Sequence, residues 1–392
     1  MTEVAVPRMT LVPTEEELAI RKSVSQIATK YGPTYYLDHV QRKEPMRELI
    51  GELADAGFLG IHIPEEFGGS GLGMHEMCIV IEECARQGIN VTFLVTTHSL
   101  SVPILQRHGT PEQQQDFIPR LARGETFFAI GITEPDAGSN THNIKTSAVR
   151  KDGKWVINGQ KVWTTGFNQS EKVLLLTRTG TDERSGRGEL TLFLLDTNAP
   201  GITSKAIPTG ANYPEDSYQV FYDNVEATDE QIVGGIGNGL KCLFHGLNPE
   251  RFFVGSIAVG LGRYMLDKGT RYAMERSVWG YPIGKHQGVA HSLADAAAQL
   301  ETAALMVRKA ALLHDAGLDA GDASNIGKYM AANACNACAD AAMGLHGGNA
   351  VALEYQMIQY AAQIRLMKIA PVSREMILNH VAQNVLGLPK SY

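Results

Sequence analysis

The sequence predicts a segregated α+β protein: helices first, strands in the middle, helices again. Three observations carry this reading. Apolar residues recur at helical spacing through the first third of the chain. From Phe127 the pattern turns to period two, rich in β-branched and aromatic residues. After Gly234-Gly235-Ile236-Gly237-Asn238-Gly239 the helical period returns and persists. Strands that do not alternate with helices argue against a Rossmann-type parallel sheet. At 392 residues the chain needs two or three domains, and the changes of period place them at 1–126, 127–235 and 236–392.

In the first block, Glu15 to Lys30, Met46 to Ala56, Met74 to Gln87 and Phe93 to His108 read as helices. His98 and Ser99 fall inside the last of these, where packing or capping is expected. The glycine-rich run Pro64 to Gly73 lacks the GK[ST] ending of a phosphate loop and reads as a turn between helices. Thr110-Pro111-Glu112 is a helix start: a capping hydroxyl, a proline at the first position and an acid at the positive end of the dipole. In the second block, Val149, Trp155 to Ile157, Val173 to Thr177, Leu190 to Leu195 and Gln219 to Tyr222 read as strands, with Asp152-Gly153 and Asn158-Gly159 as hairpin turns. In the third, Leu240 to Arg276, Gln287 to His314, Ala323 to Leu345 and Met357 to Leu386 are helical, the last interrupted by Pro371.

Composition excludes several classes. Hydrophobic residues at 44% and charged residues at 20% make an ordinary globular chain. A net charge of −7 argues against a nucleic-acid binder. No apolar run reaches the roughly 20 residues of a membrane span, and Met1 to Pro13 lacks the basic and apolar regions of a secretory signal. Five cysteines, an odd number, point to reduced thiols and a cytoplasmic setting. Cys335-Asn336-Ala337-Cys338 has a metal-like spacing, but it sits in an Ala-rich helix without a second ligand pair, so packed thiols and no metal are expected.

The chemistry concentrates between Gly131 and Gly166. There Thr133, Ser139, Thr164 and Thr165 surround glycines and Trp163. Glycines let backbone N–H groups approach a ligand, and an indole offers a flat face with one donor. The set suits a planar, hydrogen-bonding cofactor.

Four motifs, in order, make the chain resemble the acyl-CoA dehydrogenase family. They are Thr133-Glu134-Pro135-Asp136-Ala137-Gly138-Ser139 with Trp163-Thr164-Thr165; the run Gly57 to Gly73; Arg276-Ser277-Val278-Trp279-Gly280 with Gly284 to Gln287; and Leu345-His346-Gly347-Gly348-Asn349. The resemblance covers nearly the whole chain. It implies an N-terminal helical domain, a middle β-barrel domain, a C-terminal four-helix bundle domain, bound FAD and a homotetramer built as a dimer of dimers. By position, Ile132, Thr133 and Ser139 resemble the barrel contacts to FAD. Trp163 and Thr165 resemble the pair that covers the flavin ring and reaches N5. Arg276, Trp279 and Gln287 resemble residues that reach the diphosphate and adenosine from a neighbouring subunit, and Gly347 and Gly348 a further backbone contact. The implied partners are an acyl-CoA substrate and an electron-transfer flavoprotein, in fatty or branched-chain acyl-CoA metabolism.

One departure stands out. Most of the family carries its catalytic glutamate in an EGT triplet near the C-terminus, and here Pro371-Val372-Ser373 takes that place. Glu375 lies four residues beyond it and reads as an exposed helix residue. A minority of the family, including the isovaleryl-CoA and long-chain enzymes, carries the glutamate on an earlier helix, at the position of Glu250. The resemblance therefore implies Glu250 as the base, supported by Arg251. Asn248-Pro249-Glu250 also reads as a helix start. Proline at 371 has no N–H to offer a thioester oxygen. The absent triplet glutamate keeps two other readings open: an oxidase or monooxygenase of the same fold, and a non-catalytic or DNA-associated relative.

Overall fold

The computed structural model describes residues 12–181 and 188–390. The first block folds as α1 (Glu15–Arg42), α2 (Arg47–Asp55), α3 (Met74–Arg86), the short α4 (Thr92–Leu94), α5 (Val102–His108) and α6 (Pro111–Ala122). α1 is kinked where Gly32, at φ +68, precedes Pro33. A π-helical stretch, Val95–Ser101, joins α4 to α5. Thr110 caps α6 as expected, its hydroxyl accepting from the Gln113 N–H at 3.2 Å. The glycine-rich run before α3 is a turn: a Cβ on Gly69 would sit 2.0 Å from the Ile63 carbonyl oxygen.

The middle block is one eight-stranded sheet: β1 (Phe128–Gly131), β2 (Ser147–Lys151), β3 (Lys154–Thr165), β4 (Lys172–Thr181), β5 (Gly188–Asp196), β6 (Ile202–Ala206), β7 (Ser217–Ala227) and β8 (Ile232–Val233). Its order is β6-β7-β3-β2-β4-β5-β8, with β1 pairing in parallel to β4. Past the end of β1, the Val162 N–H donates to the Thr133 carbonyl at 2.8 Å. That bond brings the chain back onto β3 and closes a ring through β2 and β4. Asp152-Gly153 makes the β2–β3 turn, with both residues at positive φ. Asn158-Gly159 does not form a turn. It is an irregularity inside β3, where the ladder to β7 slips between Ile157 and Gly159. A Cβ on Gly159 would lie 2.5 Å from the Thr146 hydroxyl, so the glycine serves close strand approach rather than chain reversal.

The last block is α7 (Gly239–Glu275), α8 (Gln287–Asp315), α9 (Gly321–His346) and a broken fourth helix, α10 (Met357–Leu366) and α11 (Arg374–His380). α7 runs through Pro249 without a new start, so Asn248-Pro249-Glu250 is mid-helix and not a cap. α7 is the central element of the helical core. Its glycines admit neighbours that a side chain would repel: Gly246 against Leu100, Gly255 against Val307, Gly260 against the Glu82 carbonyl and Gly262 against Leu300. Cys335 and Cys338 are buried free thiols within α9. Glu375 is exposed and pairs with Arg374 at 3.3 Å. No helix among the described residues is long and apolar enough to cross a membrane.

Gly260→Ala would place a methyl 2.3 Å from the Glu82 carbonyl oxygen. Overpacking of this kind is expected to cost about 1–3 kcal/mol, read as a lower urea midpoint at unchanged m-value.

Candidate active site

The sheet contributes the first part of the site. Period two carries Lys161 into the interior of the sheet, where it is fully buried. Its ammonium donates to the Ile132 carbonyl at 2.9 Å and to Glu134 Oε1 at 2.8 Å. Glu134 also accepts from the backbone N–H groups of Lys145 and Thr146, at 2.6 and 2.9 Å. Burial pushes the Glu134 carboxyl up, but Lys161 and those donors more than offset it and hold it below the usual range. Burial pulls Lys161 down to about 8 while Glu134 opposes the fall, so both remain charged at neutral pH.

This pair holds Ile132 and Thr133 beside the end of β3. There the ladder slips again between Lys161 and Thr164, and Trp163 adopts φ +61. An aromatic residue in that region is strained by about 1–2 kcal/mol. The indole stands 56% exposed rather than in the core. Thr165 shares a hydrogen bond with the Ser217 hydroxyl at 2.9 Å. The buried Thr164 hydroxyl has no partner among the described residues. Ser139 is exposed in the turn that follows Glu134.

Beyond Thr165 and Gly166 lies a cavity of about 150 Å³, also lined by Thr96, Thr97 and Glu215. Burial pushes the Glu215 carboxyl up to about 7, and its Oε2 has no partner among the described residues. Thr96 and Thr97 belong to the π-helical stretch, which packs against α7. His108 meets His245 at 2.8 Å, and Leu100 abuts Gly246. Glu250 follows Gly246 by one turn on the same helix face.

Glu250 is half-buried but hemmed in by protein, and burial pushes its carboxyl up to about 7 against the pull of Arg251 and Lys328. Among the described residues, no hydrogen bond or ion pair ties down its carboxylate. The Arg251 guanidinium does not bridge to Glu250. It turns back along α7 to the Leu247 carbonyl at 3.2 Å and Asn248 Oδ1 at 2.8 Å. A half-buried, unpaired carboxyl that titrates near neutrality is suited to proton abstraction.

The remaining predicted residues sit elsewhere. Arg276 and Trp279 are exposed on and around a two-stranded hairpin, β9 (Ser277–Val278) and β10 (Tyr281–Pro282), that follows α7. Gln287 opens α8, also exposed. Trp279 is another aromatic at positive φ, 81% exposed. Gly347 and Gly348 follow α9 with open space where a Cβ would stand. The two groups meet at one end of the helical domain, where Tyr272 stacks on His346 with ring centres 4.0 Å apart and accepts from Asn349 Nδ2 at 3.0 Å.

Sequence reasoning missed four groups. Lys161 and Glu134 were signalled by a lysine at an inward strand position. Lys328 lies on the buried face of an Ala-rich helix, one turn after Asn325. Glu215 carried no signal, since only the fold closes protein around it.

The chain matches three family models along its length: the acyl-CoA dehydrogenase N-terminal domain over residues 14–125, the middle domain over 129–225 and the C-terminal domain over 237–386. It is 42% identical over 383 residues to the acyl-CoA dehydrogenase FadE12 of Mycobacterium tuberculosis, covering 97% of this chain and 98% of that one. It is 30% identical over 353 residues to the glutaryl-CoA dehydrogenase of Desulfococcus multivorans, covering 88% and 90%. Among solved structures, a glutaryl-coenzyme A dehydrogenase bound to glutaryl-CoA superposes with a TM-score of 0.89 at 28% identity, covering 98% of each chain. Butyryl-CoA dehydrogenase from Megasphaera elsdenii superposes at 0.90 and 24% identity, covering 96% of this chain and all of that one, a likeness of fold.

Removing Lys161 while leaving Glu134 buried should cost about 3–5 kcal/mol. Lys161→Met is therefore expected to lower the denaturation midpoint sharply. The Lys161→Met, Glu134→Leu double variant should recover part of the loss in a double-mutant cycle.

Proposed function

Because the chain belongs to the acyl-CoA dehydrogenase family, we propose that it binds FAD and desaturates an acyl-CoA thioester to the trans-2-enoyl-CoA, with Glu250 as the catalytic base. The observation that carries the reading is the Glu250 carboxyl: unpaired, half-buried and titrating at about 7 on the helix that borders the Thr96–Thr97 wall. Mid-range proton affinity lets a carboxylate both take a proton and hold it.

The residues present fit FAD. The outward indole of Trp163 and the half-buried Thr165 offer an aromatic and a polar group at the end of β3, and behind them the buried Thr164 hydroxyl has no partner among the described residues. Ser139 is exposed nearby to meet a phosphate. Arg276, Trp279 and Gln287, with the open backbone of Gly347 and Gly348, offer a charged and planar surface for a diphosphate and adenosine. Those five would act on a neighbouring subunit's cofactor, and their exposure in the single chain supports assembly as a homotetramer, a dimer of dimers. When bound, FAD supplies a hydride acceptor for the β-carbon. The chain's own residues do the rest. Glu250 removes the α-proton, and Arg251 and Lys328 keep the carboxylate charged enough to accept it. Pro371 donates no N–H toward a thioester oxygen. The two electrons pass to an electron-transfer flavoprotein.

Glu250→Gln should keep its FAD yet slow bleaching of the flavin by acyl-CoA at least about 100-fold, the lower range for loss of a general base. Anaerobic titration followed by flavin absorbance reads this out, and undiminished bleaching would place the base elsewhere. In the parent protein the base must be ionised. Its proton affinity lies at about 7, so the reduction rate should rise as pH increases through about 7 and then level. Hydrogen peroxide formed with substrate and no added acceptor would make the chain an oxidase.

A further inference from the structure

Lys328 has a place that the reaction as stated leaves unexplained. It lies on α9, 1% exposed, and its ammonium donates to the Val372 carbonyl at 2.7 Å. Val372 belongs to the Pro371-Val372-Ser373 turn between α10 and α11. Ser373 then starts α11, its hydroxyl accepting from the Met376 N–H at 3.3 Å. Three helices converge beside this lysine. Gly327 lies against the α8 backbone at Met306 and Val307, and Gly255 of α7 lies against the Val307 side chain. The Lys328 turn is thereby held close to the stretch of α7 that begins with Glu250 and Arg251.

We propose that Lys328 is a positioning residue of this site: one buried ammonium pins the 371–373 turn through Val372 and sets the charge balance around Glu250. The proposal rests on Glu250 being the base. A lysine is costly to bury without an anionic partner, and among the described residues its ammonium donates to a carbonyl and to no carboxylate. The nearby negative charge is Glu250, which opposes the fall of Lys328 to about 8 caused by burial, while Arg251 adds to that fall. The groups that act on Glu250 are Arg251 on its own helix and Lys328 from α9. The turn adds none, because Pro371, Val372 and Ser373 carry no titrating side chain, and Arg374 and Glu375 beyond it are exposed and paired with each other. Removing the ammonium leaves Arg251 as the one cation acting on the carboxylate, so Glu250 must hold its proton to a higher pH.

The test uses the FAD-loaded protein and the pH dependence of anaerobic flavin reduction by acyl-CoA. Lys328→Gln keeps a donor for Val372 but removes the charge. Its acidic limb should move up by about one pH unit, from a Coulomb interaction at an effective dielectric near 20. Lys328→Arg keeps the charge and should leave the limb at the parent position. Should Lys328→Gln not fold, Lys328→Met removes the same charge at similar volume, and its limb must likewise rise. A purely structural lysine would lower the melting temperature and leave the limb in place, and that result overturns the proposal. Glu250→Gln, run in parallel, separates the two readings. If that variant still reduces its flavin, the base assignment fails. If it is inactive and the Lys328→Gln limb is unmoved, only the role of Lys328 fails.

Discussion

Lys161 and Glu134 meet inside the sheet with almost no contact with water, at side-chain exposures of 0% and 6%. A buried pair of this kind adds little net stability, because desolvation offsets the attraction. Its effect is geometric. The lysine comes from β3, the carboxylate from the segment past β1, and the carboxylate's other partners are the N–H groups that lead into β2. One ion pair therefore fixes three pieces of chain. It also decides where Ile132 and Thr133 lie relative to Trp163 and Thr165. A slip of one residue in β3 would carry the lysine out of the sheet and dismantle the edge.

The helical half obeys a different constraint. α7 has neighbours around most of its surface, and small residues let them in. Its glycines accept Leu100, Val307, the Glu82 carbonyl and Leu300 at distances no larger residue would permit. Some polar groups left in this core are joined in networks: Glu17 receives Arg308 at 2.7 Å and His75 at 3.2 Å, and Asp315 accepts the first N–H groups of α3 at 2.8 Å. The rigidity of this packing matters for chemistry. It holds α7 against the π-helical stretch and the Lys328 turn against α8, so the electrostatic surroundings of one carboxyl are set by helix packing and not by a direct ion pair.

The departures from the common family pattern sit together in space. The 371–373 turn, where the resemblance would place an acid, holds none here, and the carboxyl on α7 lies near the lysine that grips that turn. Arg251, expected to bear directly on Glu250, spends its hydrogen bonds on its own helix and acts on the carboxyl through charge alone.

The helices and most strands were legible in the sequence because their signals are local. Apolar spacing marked α7 to α9, Thr110 marked the start of α6, and Asp152-Gly153 marked a hairpin. The motif residues were legible as types: Trp163, the threonines and the glycines announce a planar ligand. Local signals failed where a long-range contact overrode them. Asn158-Gly159 has turn chemistry but lies inside a strand, because β7 and Thr146 pack on it. Asn248-Pro249 has cap chemistry but lies inside α7, because tertiary packing sustains the helix through the proline. The sequence by itself determined the order of helix, sheet and helix, and the residue kinds at the site. Only the tertiary structure decided that Glu250 is unpaired and raised, that Glu215 is enclosed and that Lys328 reaches Val372. Proton affinity and burial depend on which distant segments close around a side chain, and no local pattern of residues encodes that.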